Sequence, residues 1–275
     1  MSTTNVYLQD RHRRFSGQRF GFFEQCCLEN GTTSFETLVT VAALRPQQTV
    51  VDLGCGEGPL LRYVLRRDVL YIGVDFSAAS IAAARQQFGA TAAEFVEADA
   101  GHMPLPDASC DMVLSHMALH IMQPVEPALC EVARVLKPTG TLHVFLPAAW
   151  RMHASAETRR FYDVMHLFQQ FRDVSTPTQI GTGKFATEPS IVDTLTRGFS
   201  GKATVSFTYA DLVIHRPPTE ALNLFVGWMY SFDLIHDEHK PEAAKTFLTK
   251  LIALKDGDGI VRLRRPMAIV SVRKE

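Results

Sequence analysis

The 275-residue sequence has no apolar run long enough to cross a bilayer, no paired cysteine spacing and no excess of charge of either sign. Each absence removes a class of protein. Polar residues break every apolar stretch well short of the ~20 residues a spanning helix needs, so no membrane partner is expected. The five cysteines, at 26, 27, 55, 110 and 130, are odd in number and lack a CxxC spacing. That speaks against a disulfide framework or a structural zinc site and reads them as small buried residues. With 28 basic side chains against 29 acidic, the net charge is −1, which gives no electrostatic footprint for nucleic acid. The first residues are polar and basic with no apolar run behind them. No signal peptide is read there, and a cytoplasmic location is expected.

What is present is a hydrophobic fraction of 46%, enough for one large domain or a core domain with an inserted cap. Spacing predicts a helix over 33–44, with Ser34 as candidate cap and Phe35, Leu38, Val39 and Ala42 on one face. Short apolar strands are expected at 49–53, 70–74, 94–97, 110–115 and 141–146. Helical stretches at 60–67, 78–87 and 126–136 separate them, the second begun by Ser77 or Ser80. Strands alternating with helices of this length imply a parallel sheet covered on both faces, a doubly wound α/β fold. After Pro147 the pattern changes. Residues 150–172 are rich in His, Arg and aromatics and read as helical, 175–183 as turns, and 188–198 as a helix. A strand at 203–209, a long amphipathic helix at 217–235, a helix at 240–250 and a closing strand at 267–272 follow. The basic run Arg262, Arg264 and Arg265 precedes that last strand.

The most informative stretch is Thr49-Val50-Val51-Asp52-Leu53-Gly54-Cys55-Gly56-Glu57-Gly58. A strand running into small residues lets backbone approach a ligand, and the next helix start offers free amides. Asp75 ends the following strand, where an acid accepts hydrogen bonds from a ribose. Glycine spacing alone leaves NAD, FAD and other nucleotides open. Asp52, two residues before the first glycine, would repel a pyrophosphate and suit a charged amine.

These residues resemble the class I S-adenosylmethionine (SAM) dependent methyltransferases, in particular the group with ubiquinone/menaquinone and small-molecule enzymes. Val51 to Gly58 matches the first motif, Tyr71 to Ser77 the second, Glu97 to Ala100 with Met103 to Asp107 the third, and Arg134 to Leu142 the last. The resemblance covers 49–146. It implies a Rossmann-like seven-stranded sheet with helices on both faces and a mostly helical cap after the fifth strand. It implies SAM as cofactor and S-adenosylhomocysteine (SAH) as product. Gly54, Cys55 and Gly56 would lie beside the methionine part, and Asp52 would hold the loop and reach the methionyl amine. Asp75 would bind the ribose, Phe76 would pack on the adenine, and Asp99 would accept from its amino group. Ala100, Gly101, His102 and Met103 would line the other side. Ser115 and His116 would face the sulfonium. N-terminal segments in this group fold over the cofactor, which makes Tyr7 a candidate closing residue. The chain then divides into a lid region at 1–45, a SAM-binding core at 46–147, a substrate-covering insertion at 148–200, and the rest of the sheet with an aromatic helix at 201–275.

Methyl transfer is an in-line displacement from an activated donor, and positioning carries much of it. An acceptor that must lose a proton is served by a histidine. His116 and His120 are four apart, so a helical turn would face both one way. Two imidazoles without a third ligand do not make a metal site, and none is expected. Trp150, His153, Tyr162 and His166 follow the fifth strand and, with Trp228, are candidates for an aromatic or hydrophobic acceptor. The aromatics near Trp228 serve equally as a homodimer contact. The expected partner is therefore a small molecule. The competing readings are an RNA or protein methyltransferase, a non-catalytic methyltransferase-like partner subunit, and an NAD-linked oxidoreductase.

Overall fold

The computed structural model describes residues 7, 20–171, 183–228, 232 and 235–275, without the side chains of 20–22, 169, 227 and 228. Residues 1–6 and 8–19 of the expected N-terminal lid, the turn-rich stretch up to residue 182, and residues 229–231, 233 and 234 of the expected 217–235 helix lie outside the described residues. The side chain of Trp228 does too.

Among the described residues, seven strands form one sheet: β1 (Thr49–Leu53), β2 (Leu70–Asp75), β3 (Glu94–Glu97), β4 (Cys110–His116), β5 (Leu136–Pro147), β6 (Ala203–Arg216) and β7 (Val261–Lys274). Their spatial order is β3-β2-β1-β4-β5-β7-β6. The first five run parallel, and β7 is antiparallel to both β5 and β6. The helices are α1 (Phe20–Gln25), α2 (Ser34–Ala42), α3 (Leu61–Val64), α4 (Ala78–Phe88), α5 (Glu126–Val135), α6 (Ala156–Phe171), α7 (Glu188–Gly198), α8 (Pro218–Trp228) and α9 (Lys240–Leu254). This is the expected Rossmann-like mixed sheet, with α6 and α7 as the helical insertion after β5.

Two apolar clusters cover the two faces. One gathers Phe35, Leu38, Ile81, Phe145, Phe161, Phe225 and Phe247. The other gathers Leu53, Val113, Leu129, Val132, Ile191 and Leu195. Each fully buried side chain of this size contributes roughly 1.5–3 kcal/mol. Strand order reverses between β1 and β4, and their carboxyl ends open the crevice where such sheets bind ligands.

Two local expectations are corrected. Thr33, not Ser34, caps α2, accepting from the Glu36 amide at 3.1 Å. Ser34 lies one residue inside, and its hydroxyl is used elsewhere. Ser77 caps α4 as expected, accepting from the Ser80 amide. β6 and β7 run well beyond the expected 203–209 and 267–272, because they pair residue by residue from Ala203↔Lys274 to Arg216↔Val261. Backbone pairing carries the strand through the basic run, so Arg262, Arg264 and Arg265 are strand residues.

Candidate functional site

The loop after β1 is held by its own backbone. Gly54, Gly56 and Gly58 all have positive φ, at 74°, 54° and 79°, a conformation that glycine adopts without strain. The Gly54 and Cys55 amides both donate to the Val74 carbonyl, which ties the loop to the end of β2. A Cβ on Gly54 would stand 2.3 Å from the Ala118 Cβ, so only glycine lets this loop meet the one after β4. Cys55 is buried. Its sulfur would lie 2.9 Å from a Cβ on Gly73, so the side chain points into the sheet and the backbone is what it offers a ligand.

Acids surround the loop. Asp75 is buried and accepts from the Gly56 amide at 2.8 Å and the Ser77 amide at 2.9 Å, one on each oxygen. A carboxylate has further lone-pair directions, so both oxygens can still accept. Burial raises its pKa, against the pull of those amides. Asp52 is also buried, and its carboxylate accepts from the Tyr71 hydroxyl at 2.6 Å. Burial pushes its pKa up to about 7, a rise that the Tyr71 bond opposes and neighbouring Asp75 adds to. Glu57 is half-buried and Asp99 is exposed, its carboxylate accepting from the Gly101 amide at 2.7 Å. The loop from Gly54 to Gly58 contains no basic side chain. This set of acidic acceptors fits SAM, which carries a sulfonium and an ammonium, and opposes the pyrophosphate of a dinucleotide.

The remaining expected cofactor residues fall into two groups. Phe76 and Ala100 are half-buried and His102 is exposed at the same edge of the sheet. Met103 is core: it is buried, its amide donates to Glu131, and its carbonyl accepts from Arg134. Ser115 is fully buried, donating to the Leu53 carbonyl at 3.0 Å and accepting from the Leu119 amide at 3.1 Å. It clamps β1 to the turn after β4, with its hydroxyl inside the structure rather than turned toward a sulfonium.

His116 and His120 do not share a helical turn. His116 closes β4, Met117 takes a left-handed φ of 58°, and His120 sits in a 3-10 turn, Leu119–Ile121. Such strain at a strand end is typical of functional loops. The His116 ring stacks between Phe35 and Phe145, at centroid distances of 4.1 and 4.9 Å, with Phe23 edge-on at 4.8 Å. Its Nε2 pairs with the Ser34 hydroxyl at 2.9 Å. Burial pushes its pKa down to about 3, aided by His120. His120 is pushed to about 3 by burial and then by Arg265. Both rings are neutral near pH 7.

The expected acceptor residues scatter. Tyr162 is half-buried, packs on the Phe35 face of the sheet, and feels the charge of Arg265. His153 and His166 are exposed on their segments. The buried stripe of α6 is Phe161, Val164 and Phe168, with Tyr162 packed partly against the same cluster and His166 turned away from it. Trp150 belongs to the opposite cluster, donating to Glu188 at 3.2 Å and meeting Phe207 edge-on. It does not join His116. Tyr7 is helical and half-buried. Sequence reading missed Ser34, Tyr71 and Arg265 as site residues. For Arg265 a signal existed: Val261, Leu263, Arg265, Met267 and Ile269 alternate along one strand face.

Among the described residues no three or more metal-binding side chains come together, and no helix is long and apolar enough to cross a membrane.

Residues 51–144 match the family described as a methyltransferase domain. A fatty-acid O-methyltransferase of Mycolicibacterium smegmatis is 37% identical over 33% of this chain and 34% of its own. The 27-O-demethylrifamycin SV methyltransferase of Amycolatopsis mediterranei is 31% identical over 50% of this chain and 54% of its own. The chain thus spans about half or less of the length of these relatives. The YcgJ protein of Bacillus subtilis shares the fold at a TM-score of 0.59 and 19% identity, over 88% of this chain and 98% of that one. With the loop and both acids in place, residues 51–144 carry a methyltransferase domain of the class I, SAM-dependent type.

Proposed function

We propose that the chain transfers the methyl group of SAM to a small-molecule acceptor in a biosynthetic pathway. The observation that carries this is the loop from Gly54 to Gly58, with positive φ at its three glycines, two buried acids beside it and no basic side chain within it. SAM supplies a methyl group on a positive sulfur, ready for in-line displacement. The Gly54–Gly56 backbone would hold its methionine part, Asp52 the ammonium, Asp75 the ribose, Phe76 the adenine face and Asp99 the adenine amino group. Ala100 and His102 would complete the adenine side. Two relatives are named for O-methylation of small molecules, which favours an oxygen acceptor.

Neutral histidines with pKa values about 3 are weak bases, and proton removal is most efficient when the base titrates near the working pH. His116 and His120 therefore serve as acceptor-orienting walls, and catalysis rests on positioning and exclusion of water. Tyr162 would line the acceptor side, and Tyr7 would close over the sulfonium. The segment 1–45 would act as lid and 148–200 as cover for the acceptor.

Methyl transfer from radiolabelled SAM into a host-cell extract, followed by size fractionation, tests this proposal. Label in the low-mass fraction is expected. Label in RNA or protein would overturn the small-molecule assignment and leave the cofactor assignment intact.

A further inference from the structure

β6 is the outermost strand of the sheet. On its inner side it pairs with β7 without a bulge, from Ala203↔Lys274 to Arg216↔Val261. On its outer side the Val213 amide donates to the Cys27 carbonyl at 3.0 Å, and Leu28 stands opposite Leu212. That short bridge covers only the carboxyl end of the strand. Among the described residues, no strand or bridge lies along the outer side of 203–210. Main-chain groups point to alternate sides along a strand. The Val213 amide points outward, so the amides and carbonyls of Ala203, Val205, Phe207 and Tyr209 do as well.

The same stretch lacks the features that keep strand edges apart. Ala203-Thr204-Val205-Ser206-Phe207-Thr208-Tyr209-Ala210 contains no charge and no proline, and its register with β7 is unbroken. It is built mainly of β-branched and aromatic residues, which suit a pleated surface. Val205 and Phe207 pack on the cluster that holds Leu129 and Ile191, and Tyr209 stacks beside Phe207 at 6.3 Å. Thr204, Ser206 and Thr208 are exposed on the other face.

We propose that this edge pairs with the same edge of a second copy of the chain, antiparallel about a two-fold axis at Ser206. In that register Val205 stands opposite Phe207 and Ala203 opposite Tyr209, so each outward amide and carbonyl of the four gains a partner. Thr204 meets Thr208 on one face and Val205 meets Phe207 on the other, both favourable cross-strand pairs. The ends are complementary in charge. Lys202 is exposed at one, and at the other the Glu188 carboxylate accepts from the Tyr209 hydroxyl. Antiparallel pairing brings Lys202 of each copy to the Glu188 end of the other. The strand of the second copy starts at Ala203, opposite Tyr209, and so stops short of Cys27 and Leu28 beside Leu212. The N-terminal bridge and the second copy therefore fit one edge together, and the two sheets become continuous. This pairing stands apart from the methyltransferase reading.

Sedimentation velocity of the full chain across a concentration series tests the proposal. A dimer of twice 30.6 kDa is expected, with a Kd at or below about 10 μM. Ser206→Lys sets two like charges opposite each other at the axis and is expected to weaken association at least about tenfold. Ser206→Glu should do the same. An equimolar mixture of the two variants is expected to associate again, to within about threefold of the wild-type affinity, a rescue that a misfolded variant would not give. A wild-type chain that stays monomeric up to about 100 μM overturns the proposal. A dimer that Ser206→Lys leaves unchanged overturns it too, because the interface then lies elsewhere. Failure of the mixed variants to associate removes Ser206 from the axis and overturns it as well.

Discussion

The cofactor side of the crevice is acidic and comes from one stretch of chain, residues 49–103. The opposite side is aromatic and cationic and is gathered from α2, α6, β4 and β7. On the first side, the loop is tied to the end of β2 by the Gly54 and Cys55 amides on the Val74 carbonyl, Asp75 accepts from the Gly56 and Ser77 amides, and Asp52 accepts from the Tyr71 hydroxyl. On the second, His116 touches residues 82 positions earlier and 29 positions later, Ser34 and Phe145. The first needs a particular backbone at each position. The second needs only that several distant segments pack correctly, so its residues are free to differ from one acceptor to the next.

The sharpest way to break the comparison is at the backbone-defined side. Gly54→Ala combines a left-handed φ with a Cβ at 2.3 Å from Ala118. It is expected to cost about 2–4 kcal/mol in denaturant unfolding and to abolish SAH binding. On the packing-defined side, His116→Ala removes a ring from the Phe35–Phe145 stack and is expected to cost about 2–4 kcal/mol. His116→Phe keeps the stack and loses the Ser34 bond, for about 1 kcal/mol. Turnover of the Phe variant should stay within about tenfold of wild type, whereas loss of a general base would lower it by about a hundredfold or more.

The acid side carries a pH signature. The folded pKa of Asp52 is raised to about 7, above the ordinary carboxylate value of about 3.9. A raised pKa means the folded chain holds this proton more tightly than the unfolded one. The stability it contributes is full below the unfolded pKa and is lost as pH rises through about 7. A ligand ammonium favours the ionised form. SAH affinity should therefore weaken below pH 7, approaching about tenfold per unit, and Asp52→Asn should flatten that slope in titrations from pH 5.5 to 8.5. The smallest effect is expected at Trp150, on the other face of the sheet. Trp150→Phe should change the acceptor KM by less than about threefold, since contacts this remote couple weakly.

The first five strands, the loop and its acids were legible because each is a local pattern: an apolar run, a set of glycines, an acid at a strand end. Periodicity also located α5 and α7. It placed the α2 cap one residue late, at Ser34, because Thr33 and Ser34 are equally good capping types and only the structure shows which hydroxyl meets the Glu36 amide. It made His116 and His120 helical neighbours because a spacing of four does not reveal that Met117 turns the chain with a positive φ. Arg265 hid in a basic run that resembles a solvated face. Its role depends on pairing with β6, and antiparallel register across 14 residues is a long-range property. Trp150 and His153 were grouped by chain position, and the sheet separates what the chain placed together.

The central claim is that the acidic loop binds SAM, and calorimetric titration of SAH into the full chain, with NAD as competitor, tests it most directly. The expected result is one SAH per chain, no competition by NAD, and affinity reduced about tenfold or more by Asp75→Asn. A cooperatively folded chain that binds no SAH, or that binds NAD in its place, would contradict it.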